Sequence, residues 1–160
     1  MTLDPIALRN AFGSFATGVC VITAHNREGK PFGMTINSFS SVSLVPALLL
    51  WNLQDSSDCF DEFAATDKFT VNVLAADQLD LSNSLAKKGE HDLPEGSFTI
   101  GENGAPVLNG AITSFECDVW ARYPGGDHEI IVGEVKQLTA TAGDEPLLFF
   151  SGRYRELAEA

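Results

Sequence analysis

Seven of the twelve residues from Gly33 to Leu44 (GMTINSFSSVSL) are Gly, Thr, Asn or Ser, and apolar stretches lie on both sides of them. Small hydroxyls and an amide can hydrogen-bond the edge of a heteroaromatic ring or a phosphate without placing a bulky charge there. Read as part of one strand, the segment sends Thr35, Asn37, Phe39 and Ser41 to one face and Ile36, Ser38 and Ser40 to the other. The competing reading is a solvent-facing strand decorated with hydroxyls. A second cluster, Asn52-Leu53-Gln54-Asp55-Ser56-Ser57, falls where a strand gives way to a helix. Free N–H groups and partial positive charge at a helix start let serines hold a phosphate, although Ser56 or Ser57 could equally be a plain N-cap. The third cluster is Gly126-Asp127-His128-Glu129, followed by Val132-Gly133-Glu134-Val135. A histidine beside a glycine-rich tip can donate to a phosphate or carboxamide, or simply sit in a surface turn. Near the C-terminus, Arg153, Tyr154 and Arg155 end a strand, as a binding group or as a solvated cap.

Other chemistries lack their signatures. There is no GxGxxG, no GxxxxGK[ST] and no GxSxG. His25, His91 and His128 have no metal-ligand spacing, and no HExxH occurs, so a zinc centre is not expected. Cys20, Cys59 and Cys117 never form a CxxC pair and read as reduced thiols, with Cys20 and Cys117 acting as small buried hydrophobes.

The elements that must carry these clusters follow from pattern and punctuation. Asp4 and Pro5 suit the N-cap and first position of a helix whose apolar residues Leu8, Ala11, Phe12, Phe15 and Ala16 recur at helical spacing, with Gly18 as its stop. Strands are expected at residues 19–24 and 32–41, joined by a turn at 26–30, and at 47–53 after Pro46. A short helix carries Cys59, Phe60, Phe63 and Ala64, and a strand follows at 69–74. Asp77 starts another helix bearing Leu81 and Leu85. The polar stretch KKGEHDLPEG (87–96) reads as a mobile loop. Strands at 111–123, 129–142 and 147–154 complete the chain, the first two joined by a hairpin turn at 124–127. Many strands with tight turns and three short helices predict a mainly β, antiparallel, barrel-forming fold in a single domain over residues 1–160.

Composition narrows function further. With 22 acidic and 10 basic residues the formal charge is −12, which repels nucleic acid and anionic membrane surfaces. The longest apolar run, Leu44 to Trp51, is broken by Pro46 and is far shorter than the ~20 residues a membrane span needs. An acid precedes any apolar stretch in MTLDPIALRN, so no signal peptide is expected and the cytoplasm is the expected location.

Taken in order, FATGVCVITA (15–24), GMTINSFSSVSL (33–44), FTVNVL (69–74), Gly126-Asp127-His128 with Gly133-Glu134-Val135, and PLLFFSGRY (146–154) resemble the short-chain NAD(P)H:flavin oxidoreductases. These are the reductase components that partner two-component flavin-dependent monooxygenases. The resemblance covers about residues 5 to 157. It implies an FMN-binding split β-barrel of Greek-key type and a homodimer. It also implies FMN or FAD as flavin, NADH or NADPH as reductant, and an oxygenase component as partner. It places Thr35, Ile36, Asn37 and Ser38 along the isoalloxazine ring, with Ser41 a further contact. Asn52, Ser56, Ser57 and Phe60 would hold the ribityl phosphate end, with Ser82 and Ser84 as additional candidates. His128 would lie beside the nicotinamide nucleotide and Tyr154 near the same pocket. Hydride transfer between two cofactors needs binding and orientation rather than a protein acid or base, so the lack of a triad or paired carboxylates fits. A flavin-binding electron-transfer protein without reductase turnover, and a barrel with no cofactor, are the alternatives.

Overall fold

The computed structural model describes residues 2–141 and 145–160. Asp4 caps helix α1 (Pro5–Phe12), its carboxylate accepting the Ile6 and Ala7 N–H groups, with Pro5 at the helix start. The helix stops at Gly13, earlier than expected, and Thr17–Gly18 forms the short strand β1. Strands β2 (Cys20–His25) and β3 (Pro31–Ile36) pair across a turn in which Asn26 Oδ1 accepts the Glu28 and Lys30 N–H groups. Then come β4 (Ser40–Leu44), β5 (Ala47–Gln54), α2 (Phe60–Ala64) and β6 (Lys68–Val73). A 3-10 turn (Ala76–Gln78) leads into α3 (Leu79–Leu85). The remaining strands are β7 (Phe98–Ile100), β8 (Pro106–Leu108), β9 (Thr113–Pro124), β10 (His128–Ala140), β11 (Leu148–Phe150) and β12 (Arg153–Arg155). Among the described residues no helix is long and apolar enough to cross a membrane.

Seven strands form one antiparallel sheet in the order β3-β2-β6-β9-β10-β5-β4. Laid flat, its two edge strands would stand about 29 Å apart at ~4.8 Å per strand. Only residues 37–39 join those edges, however, and such a link reaches at most about 14 Å. The sheet must therefore curl into a barrel. Phe32 on β3 and Trp51 on β5 confirm the closure, because both rings pack on Phe63 with centroids 4.6 and 5.1 Å away. Ile22, Leu53, Phe69, Val71 and Ile131 fill the same interior. Val21, Leu74, Leu85, Leu93, Leu108 and Leu147 make a second core outside the barrel wall. Strand β2 is thus buried on both faces, which is why apolar residues such as Cys20, Val21, Ile22 and Ala24 follow one another there instead of alternating with exposed polar ones.

Several expected boundaries move for identifiable reasons. The single arm expected over 32–41 breaks after Ile36, because residues 37–39 cross from one sheet edge to the other, so the predicted alternation of faces ends there. The strand expected over 147–154 folds back at Ser151 and Gly152, whose φ values of 49° and 75° are left-handed. Neither Ser56 nor Ser57 caps α2. Cys59 holds that position without a side-chain bond, and Ser57 Oγ instead accepts the Cys59 N–H in the preceding turn. Asp77 lies inside the 3-10 turn, where Gln78 Oε1 accepts the Ala75 N–H. The expected strand end at Ala142 lies outside the described residues.

Two buried positions tie the wall together. A Cβ on Gly133 would sit 2.5 Å from Phe69 Cζ and 3.0 Å from Cys117 Cβ, so only glycine lets the Phe69 ring lie against β10. Asn72, fully buried on β6, donates to the Val21 carbonyl and Thr23 Oγ1, both at 3.0 Å. Its Oδ1 accepts the Leu108 N–H (3.0 Å) and the Ser114 hydroxyl (2.9 Å), so one amide clamps β2, β8 and β9.

Candidate active site

A trough opens where β3 ends. One chamber of it, about 480 Å³, is lined by residues 34–38, Asn52 and Gln54 of β5, Ser56 to Asp58, the segment after α3 with Lys88 and His91, and His128. That volume is within the roughly 300–1,000 Å³ usual for small-molecule sites. Two flanking cavities share Asn37 with it. One is lined by Tyr154, Phe149 and Thr35, the other by Phe12, Thr17 and Gly152 among others.

Local structure explains the convergence. Pairing of β10 with β5 sets His128 opposite Gln54, and the Asp55 N–H donates to the Asp127 carbonyl (3.0 Å), so the hairpin tip closes on the β5–α2 corner. Ser38 joins the crossing segment to β5, its Oγ accepting the Asn52 N–H at 3.0 Å. Thr35 donates to the Ser82 carbonyl (2.8 Å), fixing β3 against α3. The segment 87–96, expected to be a mobile loop, is docked on the free edge of β3. Gly33 N–H donates to the His91 carbonyl (2.9 Å), Phe32 bridges Asp92, and Lys30 pairs with Asp92 at 2.6 Å. This docking carries Lys88 to the chamber wall.

The structure brings together Thr35, Ile36, Asn37, Ser38, Asn52, Ser56, Ser57 and His128 from the predicted set, and Tyr154 in the adjoining cavity. It does not bring Ser41, Phe60, Ser82 or Ser84 to the chamber wall. Ser41 is exposed on β4, and Phe60 packs against the barrel core. Ser82 is buried with its hydroxyl 2.7 Å from Tyr154 Oη, and Ser84 stays within α3. Lys88, Asp58 and His91 line the chamber although no role was expected of them, and so does Gln54, a member of the Asn52–Ser57 cluster. For Lys88 the only signal was a cation three residues past the α3 end.

The charges are disposed in a definite way. Burial opposes ionisation of Asp58, but the Gly89 N–H (2.6 Å) and the His91 ring (2.9 Å) outweigh it and hold the carboxyl below its usual range. The Asp127 carboxyl is also lowered, first by its hydrogen bond with His128 (2.7 Å) and then by the histidine's charge. Because a carboxylate only accepts, His128 Nδ1 carries the proton in that bond, and Nε2 is its other ring nitrogen. Burial pushes the Cys20, Cys59 and Cys117 thiols up to about 12, so none serves as a ready thiolate nucleophile. Arg122 is occupied structurally, bonded to Glu129 (2.6 Å) and to the Phe63 and Thr66 carbonyls. Two buried oxygens at the trough, Asn52 Oδ1 and Thr17 Oγ1, have no hydrogen-bond partner among the described residues. The chamber is therefore a mostly uncharged cleft with an unused acceptor in its wall and a cation at one end.

This arrangement on a curled antiparallel barrel is that of a flavin reductase domain. A family profile described as "Flavin reductase like domain" matches residues 12–158, and the chain belongs to that family. It is similar to "FMN reductase (NADH) SmoA" of Agrobacterium fabrum, 44% identical over 92% of this chain and 83% of the relative. Among solved structures, NADH:FAD oxidoreductase SgcE6 of Streptomyces globisporus, in complex with NAD and FAD fragments, superposes with a TM-score of 0.90. It is 37% identical over 99% of this chain and 97% of that one. BorF, the flavin reductase component of a bacterial two-component tryptophan halogenase, also gives 0.90, at 35% identity over 98% of this chain and 100% of that one. A "Probable flavin reductase" of Rhizobium meliloti is 44% identical over 82% of this chain, which spans only 42% of that relative's length.

Proposed function

We propose that this chain transfers a hydride from NADH or NADPH to FMN or FAD lying along residues 35–38, and passes the reduced flavin to an oxygenase component. The observation that carries this reading is the chamber lined mainly by hydroxyls and amides, with one cation, Lys88, at its end and Asn52 Oδ1 buried and unused in its wall. An acceptor there suits the ring N–H of an isoalloxazine, and the hydroxyls of Ser56 and Ser57 with Lys88 suit its phosphate. When bound, the flavin supplies the hydride-accepting ring, and the protein supplies place and orientation. Thr35 and Ser38 hold the floor rigid through their bonds to α3 and β5. The net charge of −12 repels an anionic flavin at long range, which favours a flavin that comes and goes as a substrate. The test is to mix purified protein with each flavin and each nicotinamide and follow the nicotinamide absorbance. Oxidation that requires added flavin supports the reading. Flavin binding without turnover would make the chain an electron-transfer module instead.

His128, bonded through Nδ1 to Asp127, lines the chamber and is the residue we assign to the nicotinamide. His128→Ala is expected to raise the nicotinamide KM by roughly tenfold, the worth of one charge-assisted hydrogen bond, with little change in flavin affinity. Steady-state kinetics with each substrate varied in turn checks this. A collapse of flavin affinity at constant nicotinamide KM would reassign His128 to the flavin.

The same reading includes a homodimer. Helix α1 buries none of its residues in the monomer; Phe12 at its end and Phe15 just beyond it are 70% and 78% exposed, and Leu44 at the end of β4 and Val45 after it are over 90% exposed. Apolar area of this kind is rarely left open to water. Sedimentation is expected to give a dimer for the native chain and a monomer for Phe12→Ser/Phe15→Ser. Three free, buried cysteines accord with a reducing cytoplasm, and the family match over 12–158 accords with one domain.

A further inference from the structure

Asp58, Cys59 and His91 come from two segments that meet only in the folded chain, Asp58 and His91 being 33 residues apart in sequence. Their ligand atoms, a carboxylate oxygen, a thiol sulfur and an imidazole nitrogen, all lie within 4.8 Å of one another. The imidazole shows an unusual balance of partners. Its Nδ1 faces the Gly33 carbonyl at 3.2 Å and its Nε2 faces Asp58 Oδ1 at 2.9 Å, so acceptors stand on both sides of one ring. Neutral imidazole has a single N–H, and the pair of contacts needs one more positive centre between Nε2 and the carboxylate: a proton or a metal ion. The Nδ1–H to backbone carbonyl bond is the usual support of a metal-ligating histidine, because it fixes the ring and leaves Nε2 to the metal. The carboxylate is oriented in the same manner, Asp58 Oδ2 accepting the Gly89 N–H at 2.6 Å.

We propose that Asp58, Cys59 and His91 form a binding site for a zinc-class divalent transition metal at the rim of the trough. An ion placed evenly among the three atoms lies no more than about 2.8 Å from each, so shifts of roughly half to one ångström, the sulfur moving in and the 2.9 Å His91–Asp58 contact opening slightly, reach the ~2.0–2.3 Å of zinc bonds. The mixed sulfur, nitrogen and oxygen set favours zinc, cobalt or copper over magnesium or calcium, which take oxygen ligands alone. Two positive charges at this point offset the burial that keeps Cys59 a thiol, since a coordinating thiol gives up its proton outright. Asp58 and His91 line the open chamber, so the ion has a path in and a fourth position open to solvent. No pattern of local spacing reveals this site, because β3 docking creates it. It is independent of the flavin reading.

Cobalt(II) added alone to the purified, metal-free chain is the probe. The expected result is saturation at one equivalent, with a near-ultraviolet thiolate-to-cobalt band and the strong visible bands of four-coordinate cobalt. Cys59→Ser should abolish the ultraviolet band, Cys117→Ser should leave it intact, and His91→Gln should weaken binding roughly tenfold or more. Circular dichroism establishes that each variant is folded, and His91→Gln carries the test if Cys59→Ser is not. Absence of a thiolate band in the native chain, its persistence in Cys59→Ser, or unchanged affinity in His91→Gln would each overturn the proposal and leave a proton between His91 and Asp58.

Discussion

Reversing the charge at Lys88 with glutamate is expected to raise the KM for FMN by roughly 10- to 100-fold and the KM for riboflavin by less than about twofold. The difference between the two flavins is a phosphate, and a hydrogen bond to a charged group contributes about 1.5–3 kcal/mol, each 1.4 kcal/mol being tenfold. Lys88 is the cation lining the chamber, and the carboxylate there, Asp58, is already engaged by His91 and the Gly89 N–H. A phosphate entering between Ser56, Ser57 and Lys88 therefore meets two hydroxyls and one positive charge, with little net opposition. Glutamate in place of Lys88 inverts that balance. Kinetics with FMN and riboflavin side by side decide the matter. Equal increases for both flavins would move Lys88 to the ring end or to the nicotinamide, and the phosphate would need another anchor.

Asn72→Leu is expected to cost about 3–5 kcal/mol of stability. The substitution keeps the volume roughly constant but leaves the Leu108 N–H, the Ser114 hydroxyl and the Val21 carbonyl without the partner that satisfies them. Each buried group left unpaired costs about 1–3 kcal/mol. For a chain of this size the melting temperature should fall by roughly 10 °C or more, read by thermal denaturation. A loss under about 1 kcal/mol would mean that β2, β8 and β9 hold their arrangement without this amide, through water or rearrangement.

Asn72 also shows where sequence reasoning reaches its limit. Its alternation in FTVNVL placed it correctly on a strand, but nothing local says that both faces of that strand are covered, one by the barrel interior and one by β8. The long strands were legible for different reasons: β6, β9 and β10 carry β-branched and aromatic residues at strand spacing, while β2 and β5 read as short apolar runs bounded by turn residues. Strands β7 and β8 have three residues each, too few to show one. The break at 37–39 was hidden because the residues that cross the barrel mouth are the same small polar types that decorate an exposed strand.

The site divides in the same way. Thr35 to Ser38, Asn52, Ser56, Ser57 and His128 stood out by composition, and the resemblance gave them a shared purpose. The barrel then gathers them around one chamber. Ser82 did not join them because its hydroxyl is taken by Tyr154, a partner 72 positions away. Lys88 and His91 escaped notice for the opposite reason. A polar, glycine-bearing stretch reads as solvent-exposed until the backbone pairing of Gly33 with His91 and of Phe32 with Asp92 is known. Gly133 belongs to the GEV string that helped identify the family, and its visible role is to make room for the Phe69 ring.

Amide chemical-shift mapping during titration with FMN tests most directly whether the flavin lies along the end of β3. The largest changes are expected at residues 35–38, Asn52, Ser56, Ser57 and Lys88. Changes concentrated instead around His25, Asn26 and residues 103–105, which line a separate cavity of about 300 Å³, with 35–38 unmoved, would contradict it.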